Sequence, residues 1–137
     1  MFCIFKLSPK IKILMTSTYH MGLLLLRLSF SGLLLTHGIP KLMHMFQGNL
    51  EFADPIGVGS TVTFLFAVLA EAICPMLIII GYKTRLAAIP IIITMAVGAF
   101  IHHASDPVAV KEKALLYLFG FVVIALVGAG KFSVNKK

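Results

Sequence analysis

The sequence alternates between long apolar runs and short polar segments. Four runs stand out: about Tyr19–Lys41, Thr61–Ile80, about Leu86–His102 and about Ala114–Gly128. A helix of about twenty apolar residues crosses the ~30 Å hydrocarbon core of a bilayer, so the pattern predicts an all-α protein built as a four-transmembrane-helix bundle. In the first run, His20, Arg27, Ser31 and Gly38 fall on one narrow stripe at about 100° per residue. Small and polar residues among leucines mark the face such a helix turns toward its neighbours. Pro40 and Lys41 end that run, and a kink or stop is expected at the proline. The second run holds one ionisable group, Glu71, with Pro75 four residues later. The proline ring removes the amide that the Glu71 carbonyl would otherwise accept from. In the third run Pro90, Thr94 and Gly98 recur at i+4 and read as a second small-residue packing face. The turn Gly81-Tyr82-Lys83-Thr84-Arg85 is so short that runs two and three must be antiparallel neighbours. The fourth run is short, and adequate where its ends snorkel or the bilayer thins.

Between the runs the chain is polar. Residues 42–60 carry His44, Gln47, Asn49, Glu51 and Asp54, then Gly57-Val58-Gly59. Glycines before a helix can cradle an anion on free amides, but a dinucleotide fingerprint needs a third glycine and a strand-to-helix setting. The pair reads instead as a flexible entry with Ser60 or Thr61 as N-cap. Asp106-Pro107 supplies an N-cap and first position for the last helix, which would carry Lys111-Glu112-Lys113 along the headgroups before entering the bilayer. Gly128 and Lys131 close it. Residues 1–18 form a basic, apolar tail expected to lie on anionic headgroups, with Pro9 breaking any long helix there. The bundle domain then occupies 19–130, and 131–137 is a basic cytoplasmic tail. Met1, Met15 and Met21 are all compatible with a start, and the pattern lacks the small-residue cleavage site of a signal peptide.

Composition agrees with this picture. The 137 residues are 59% hydrophobic and 12% charged, with a mean hydropathy of +1.00; a soluble domain is nearer half apolar and a quarter charged. The net charge of +7 does not point to nucleic acid, because the cations lie between apolar runs and form no basic face with interleaved aromatics. Lys6, Lys10, Lys12, Lys83, Arg85, Lys131, Lys136 and Lys137 fall on one side of the bilayer, and Lys41, Lys111 and Lys113 on the other. The positive-inside rule then puts both termini in the cytoplasm, as a multi-pass protein of the cell inner membrane. Cys3 and Cys74 make no Cys-x-x-Cys and no zinc spacing, and a disulfide between tail and central helix is not expected.

Two groups of residues could carry chemistry. An acid inside the bilayer costs about 3 kcal/mol unless it is paired or hydrogen-bonded, which makes Glu71 a candidate. Counting from the inner ends of their runs, Arg27 lies roughly 12 Å deep and Glu71 roughly 13 Å, so an Arg27–Glu71 ion pair is expected. Such a pair either fixes helix register or lines a small-molecule or proton site. The second group, His37, Lys41, His102 and Asp106, gathers toward the outer end. A metal or haem held by His37 with His102 or His103 is conceivable on facing helices, but no His-x-x-x-His supports it. Adjacent His102 and His103 point about 100° apart, so hydrogen bonds to headgroups, loops or Asp106 are expected and no metal site is assigned. Phe64, Phe66, Met95, Tyr117 and Phe121 would form an apolar lining, whether as ordinary packing or as a place for a quinone ring or tail.

Several fragments, in order along the chain, resemble the DoxX family of small four-helix membrane proteins. They are Leu-Leu-Arg-Leu (25–28), His-Gly-Ile-Pro-Lys (37–41), Ala70-Glu71 and Gly-Tyr-Lys-Thr-Arg-Leu-Ala-Ala (81–88). His102–Pro107, Lys111–Tyr117 and Gly128–Ser133 complete the set, which spans roughly His20–Val134. The resemblance implies a four-span inner-membrane protein, and the family takes its name from a subunit of a quinone-linked oxidoreductase. Arg27, Lys41, Glu71 and Arg85 match its recurring charged positions. Two readings follow. In one the chain is a quinone-interacting subunit, Arg27 and Glu71 holding the quinone while a redox-protein partner supplies electrons. In the other it is a non-enzymatic scaffold or small carrier.

Overall fold

The computed structural model describes residues 9–134, with side chains from Thr16 onward. The tail residues Cys3 and Lys6, the side chains of Lys10 and Lys12, and the terminal Lys136 and Lys137 lie outside the described residues. All regular structure among the described residues is helical, in four rods: α1 (Pro9–Phe46), α2 (Ser60–Ile80), α3 (Thr84–His102) and α4 (Val108–Val127). Within them Thr16–Phe46, Ser60–Ile80 and Thr84–His102 are long and apolar enough to cross a membrane. α4 is 20 residues long but carries Lys111, Glu112 and Lys113 in its first turns, so its apolar part is shorter than the other three.

α1 departs from the expected pattern at both ends. Its 38 residues make a rod about 57 Å long at 1.5 Å per residue, well beyond the bilayer core. Residues from Pro9 to Thr18, expected as a tail separated from the span, continue the same helix. Pro40 does not stop it either; the helix runs through to Phe46. A single proline removes one ladder bond, and a membrane helix packed on both sides of the break tolerates that loss. The connection expected over 42–60 therefore shrinks to residues 47–59.

The chain reverses as the short turn demands. Gly81 takes a left-handed φ of 78°, its N–H donating to the Ile78 carbonyl and the Tyr82 N–H to that of Leu77. This is a Schellman ending, which needs a residue with no Cβ penalty at that position. α3 then packs along both α2 and α4, and α1 crosses α2 antiparallel, with Arg27 at the level of Ile79 and Gly38 at that of Glu71.

Most of the stripe foreseen on α1 is the packed one: Arg27, Ser31 and Gly38 are buried, together with Leu23 and Leu34, and His20 is half-buried. On α3 the packed face is Thr84, Ala87, Ala88, Ile91, Met95 and Ala99. Pro90, Thr94 and Gly98 lie beside that face and are only half-buried, because bulkier Ile91 and Met95 bury more apolar area. The main core joins Leu34, Ile78, Ile91, Phe121 and Ile124. A smaller cluster of Phe64, Val68 and Ala72, with Leu42, Met45 and Leu50 against it, sits under the 47–59 connection. Leucines such as Leu25, Leu33, Leu86, Leu116 and Leu126 point outward around the bundle, an apolar girdle that a soluble monomer would not expose.

Two expected caps are replaced. At the start of α2 the N-cap is Gly59, and neither Ser60 nor Thr61 caps it with a side chain. Asp54 instead braces the loop just before the helix, accepting from the Val58 and Gly59 amides and the Thr63 hydroxyl. At α4 the N-cap position is Pro107, and Asp106 turns instead to His103.

Candidate ligand site at the Lys41–Glu71 pair

Glu71 sits in a local widening of α2. Residues Leu69–Ile73 form a π-helical turn, with the Cys74 N–H reaching back to the Leu69 carbonyl. Such turns often mark functional positions in otherwise regular helices, and Pro75 follows within one further turn. α1 presses directly on this place: a Cβ added at Gly38 would overlap the Glu71 carbonyl. Only glycine lets the two backbones come so close, and that contact fixes the register of α1 against α2.

The register decides the partner. One turn beyond Gly38, Lys41 places its Nζ at 2.6 Å from both Glu71 carboxylate oxygens. The expected Arg27–Glu71 pair does not form. The Arg27 guanidinium, 1% exposed, donates to the carbonyls of Ala129 and Phe132, and at 3.5 Å to that of Ile79. It thus holds the segment after α4 against the end of α2, where the Val134 N–H also donates to the Ile80 carbonyl. The depth estimate failed because it started α1's membrane path at Tyr19, whereas the helix extends further back and Arg27 lies at the level of the α2–α3 turn. Nothing in local spacing gives Lys41 as the partner; the readable signal was Gly38, a small residue on the packed stripe one turn before a lysine.

The outer-end group gathers only in part: Lys41 and His102 line one cavity, and His37 and Asp106 do not. Lys41 belongs to Glu71. Asp106 Oδ2 lies 2.7 Å from His103 Nδ1, and His102 stacks edge-on against His103 with ring centres 4.6 Å apart. His37 meets the edge of Tyr117 instead. Among the described residues no group of three or more His, Cys, Asp and Glu side chains comes together as a metal site would require.

A cavity of about 490 Å³ opens above the pair, lined by α2, α3, the 47–59 connection, Lys41 of α1 and Ala114 of α4. Its size falls within the ~300–1,000 Å³ of small-molecule sites, and its walls are apolar with a few polar groups, as in such sites generally. Lys41 and Glu71 lie in its wall, with Thr63, Thr94, His102 and His103 as the further polar groups. Two residues of the anticipated lining, Phe66 and Met95, are there. The other three pack elsewhere: Tyr117 and Phe121 against Phe30, and Phe64 against Phe52. Thr94 and Gly98, read as packing residues, turn out to line the cavity, as do Phe52 and Ile93. The Lys41 ammonium also lies 5.1 Å from the centre of the Phe52 ring, a cation–π contact. Of its three N–H donors, two are accounted for by the Glu71 oxygens. The arrangement can therefore offer one charged donor, braced by a carboxylate, to an acceptor arriving in an apolar chamber.

The curated proteins and the solved structures gave no match to the chain. The DoxX family model matches residues 22–104. That stretch covers more than half of the chain and contains Lys41, Glu71 and the cavity walls on α2 and α3. With its long apolar helices, the chain is a small multi-pass integral membrane protein and belongs to the DoxX family.

Proposed function

We propose that this protein binds a lipid-soluble quinone in the cavity beside Lys41 and Glu71 and serves as the membrane subunit of an oxidoreductase. The observation that carries the reading is the Lys41–Glu71 pair itself, its Nζ 2.6 Å from both carboxylate oxygens and both residues in the wall of an apolar chamber. In this reading Lys41, and not Arg27, donates to a ring carbonyl oxygen. Glu71 fixes the ammonium and exchanges a proton at its carboxylate. The apolar walls, among them Phe66 and Met95, hold the ring and keep water away. A bound quinone supplies reversible electron and proton uptake; the electrons come from a redox-protein partner.

The same proposal takes α4 as a fourth span, its Lys111 and Lys113 remaining at the headgroups. With the excess of cations at the α2–α3 turn and the two tails, both termini lie in the cytoplasm and the membrane is the cell inner membrane. A scaffold or small carrier is the second reading. Its support is that the Lys41–Glu71 pair is already closed on itself, as a register device would be.

Titration of the protein in lipid nanodiscs with a decyl-tailed benzoquinone separates the two. Saturable stabilisation of the wild type against heat, lost in a Lys41→Met/Glu71→Leu double variant that keeps side-chain bulk and removes both charges together, is expected for the quinone site. Identical curves for the two proteins favour the scaffold.

A further inference from the structure

The quinone reading leaves open how a ligand reaches the pair, and the cavity walls answer that. Its deep side is closed by buried Ala67 and Met95. Its outer roof is the 47–59 connection, whose Phe52, Ala53, Pro55, Ile56 and Val58 line the chamber. That roof is fastened at two points. The Asp54 carboxylate holds the Val58 and Gly59 amides and the Thr63 hydroxyl, at 2.7–3.1 Å. The Ser60 hydroxyl accepts from the Phe52 N–H and donates back to the Phe52 carbonyl. The third side is different. Val62 and Phe66 on α2 and Ile93 on α3 line the cavity yet are 57%, 39% and 47% exposed. Phe52, Ile56 and Val58 of the roof are exposed as well, but Asp54 and Ser60 pin the roof's backbone, whereas among the described residues no hydrogen bond joins α2 to α3 beside Val62, Phe66 and Ile93. Ile93 stands about 14 Å along α3 from Thr84 at 1.5 Å per residue, the level of hydrocarbon rather than of headgroups.

We infer that the cavity is loaded sideways from the bilayer through the seam between α2 and α3, and that it selects ligands whose polar ring reaches Lys41 and Glu71 while a long apolar tail stays in the seam among Val62, Phe66, Ile93 and Val97. The inference rests on the quinone reading for the nature of the ring, and adds the route and the tail. A water-borne ligand has to pass between roof residues whose backbone is pinned by Asp54 and Ser60. A tailed one needs only to part apolar side chains that already face lipid.

The test uses the full chain in nanodiscs and two photoreactive decyl-tailed benzoquinones, one carrying its diazirine on the ring and the other at the tail end. Labelled residues are mapped by mass spectrometry, and specific labelling is that removed by excess unlabelled quinone. The expected result is ring labelling near Lys41 and Glu71, tail labelling on Val62, Phe66, Ile93 or Val97, and a tail-less benzoquinone that competes at least about tenfold less well. Narrowing the seam with Ile93→Trp should weaken competition by the tailed compound more than that by the tail-less one. Ring labelling in the cavity with tail labelling on residues 52–58, or equal competition by the tail-less compound, overturns lateral loading and leaves the quinone site standing. Absence of any competed label in the cavity overturns both.

Discussion

At the scale of single residues, the pair between Lys41 and Glu71 is where the largest energies are at stake. Removing one partner of a fully buried pair costs ~3–5 kcal/mol, because the other charge is left unpaired. The Lys41 side chain is 25% exposed, so water reaches it and about half that loss is expected for Lys41→Met or Glu71→Leu alone. The double change should recover much of it, measured as thermal unfolding in detergent. Exchanging Arg27 with Glu71 should recover nothing, since those two do not meet. Asp54 offers a milder test outside the membrane. Its hydrogen bond from the Gly59 amide, with those from Val58 and Thr63, holds its carboxyl below the ordinary carboxylate range. Stability from a depressed carboxyl is present above the unfolded value of about 3.9 and is lost as pH falls through the lower folded value. Exchange protection of the Val58 and Gly59 amides should therefore survive at pH 5 and disappear in stronger acid, and Asp54→Asn should lower it at pH 5 and above and remove its dependence on pH.

At the scale of elements, the contact between α1 and α2 sets everything above it. Gly38→Ala would drive a methyl into the Glu71 carbonyl. Backbone cannot yield as a side-chain tip can, so a loss of about 2–3 kcal/mol is expected, with weakened Lys41–Glu71 pairing visible as faster exchange across Leu69–Ile73. Gly22→Ala, on the same helix with open space around it, should be harmless. The other end of α1 depends on Arg27 and the segment after α4. Arg27→Met and truncation after Gly128 each break the same hydrogen bonds, so their combined effect should fall well short of the sum. The elements themselves were legible in the sequence, because apolar runs of span length leave few alternatives and Gly81 marks the reversal. The limits of α1 were not. Pro40 reads as a stop from local chemistry, and only packing on both sides of it shows that it is not.

At the scale of the whole molecule, what sequence could not supply was register. Each candidate residue was visible: Glu71 by its charge, Lys41 and Arg27 by their place among leucines, Phe66 and Met95 by their bulk. Which of them meet depends on how far one helix slides along another: Arg27 and Lys41 stand about 21 Å apart along α1, and only the register decides which one reaches Glu71. That slide is fixed by a glycine against a carbonyl, a contact with no signature in composition or charge. The outcome is a bundle with two polar devices at different heights. Arg27 secures the chain after α4 at one end, and the Lys41–Glu71 pair sits beside a cavity open toward lipid. The claim that this cavity is a quinone site is tested most directly by extracting the purified protein with organic solvent and measuring quinone against protein. The account predicts near-stoichiometric quinone from the wild type and little from Lys41→Met/Glu71→Leu prepared in the same way. An equal quinone content in the two proteins, or none in either, would contradict it.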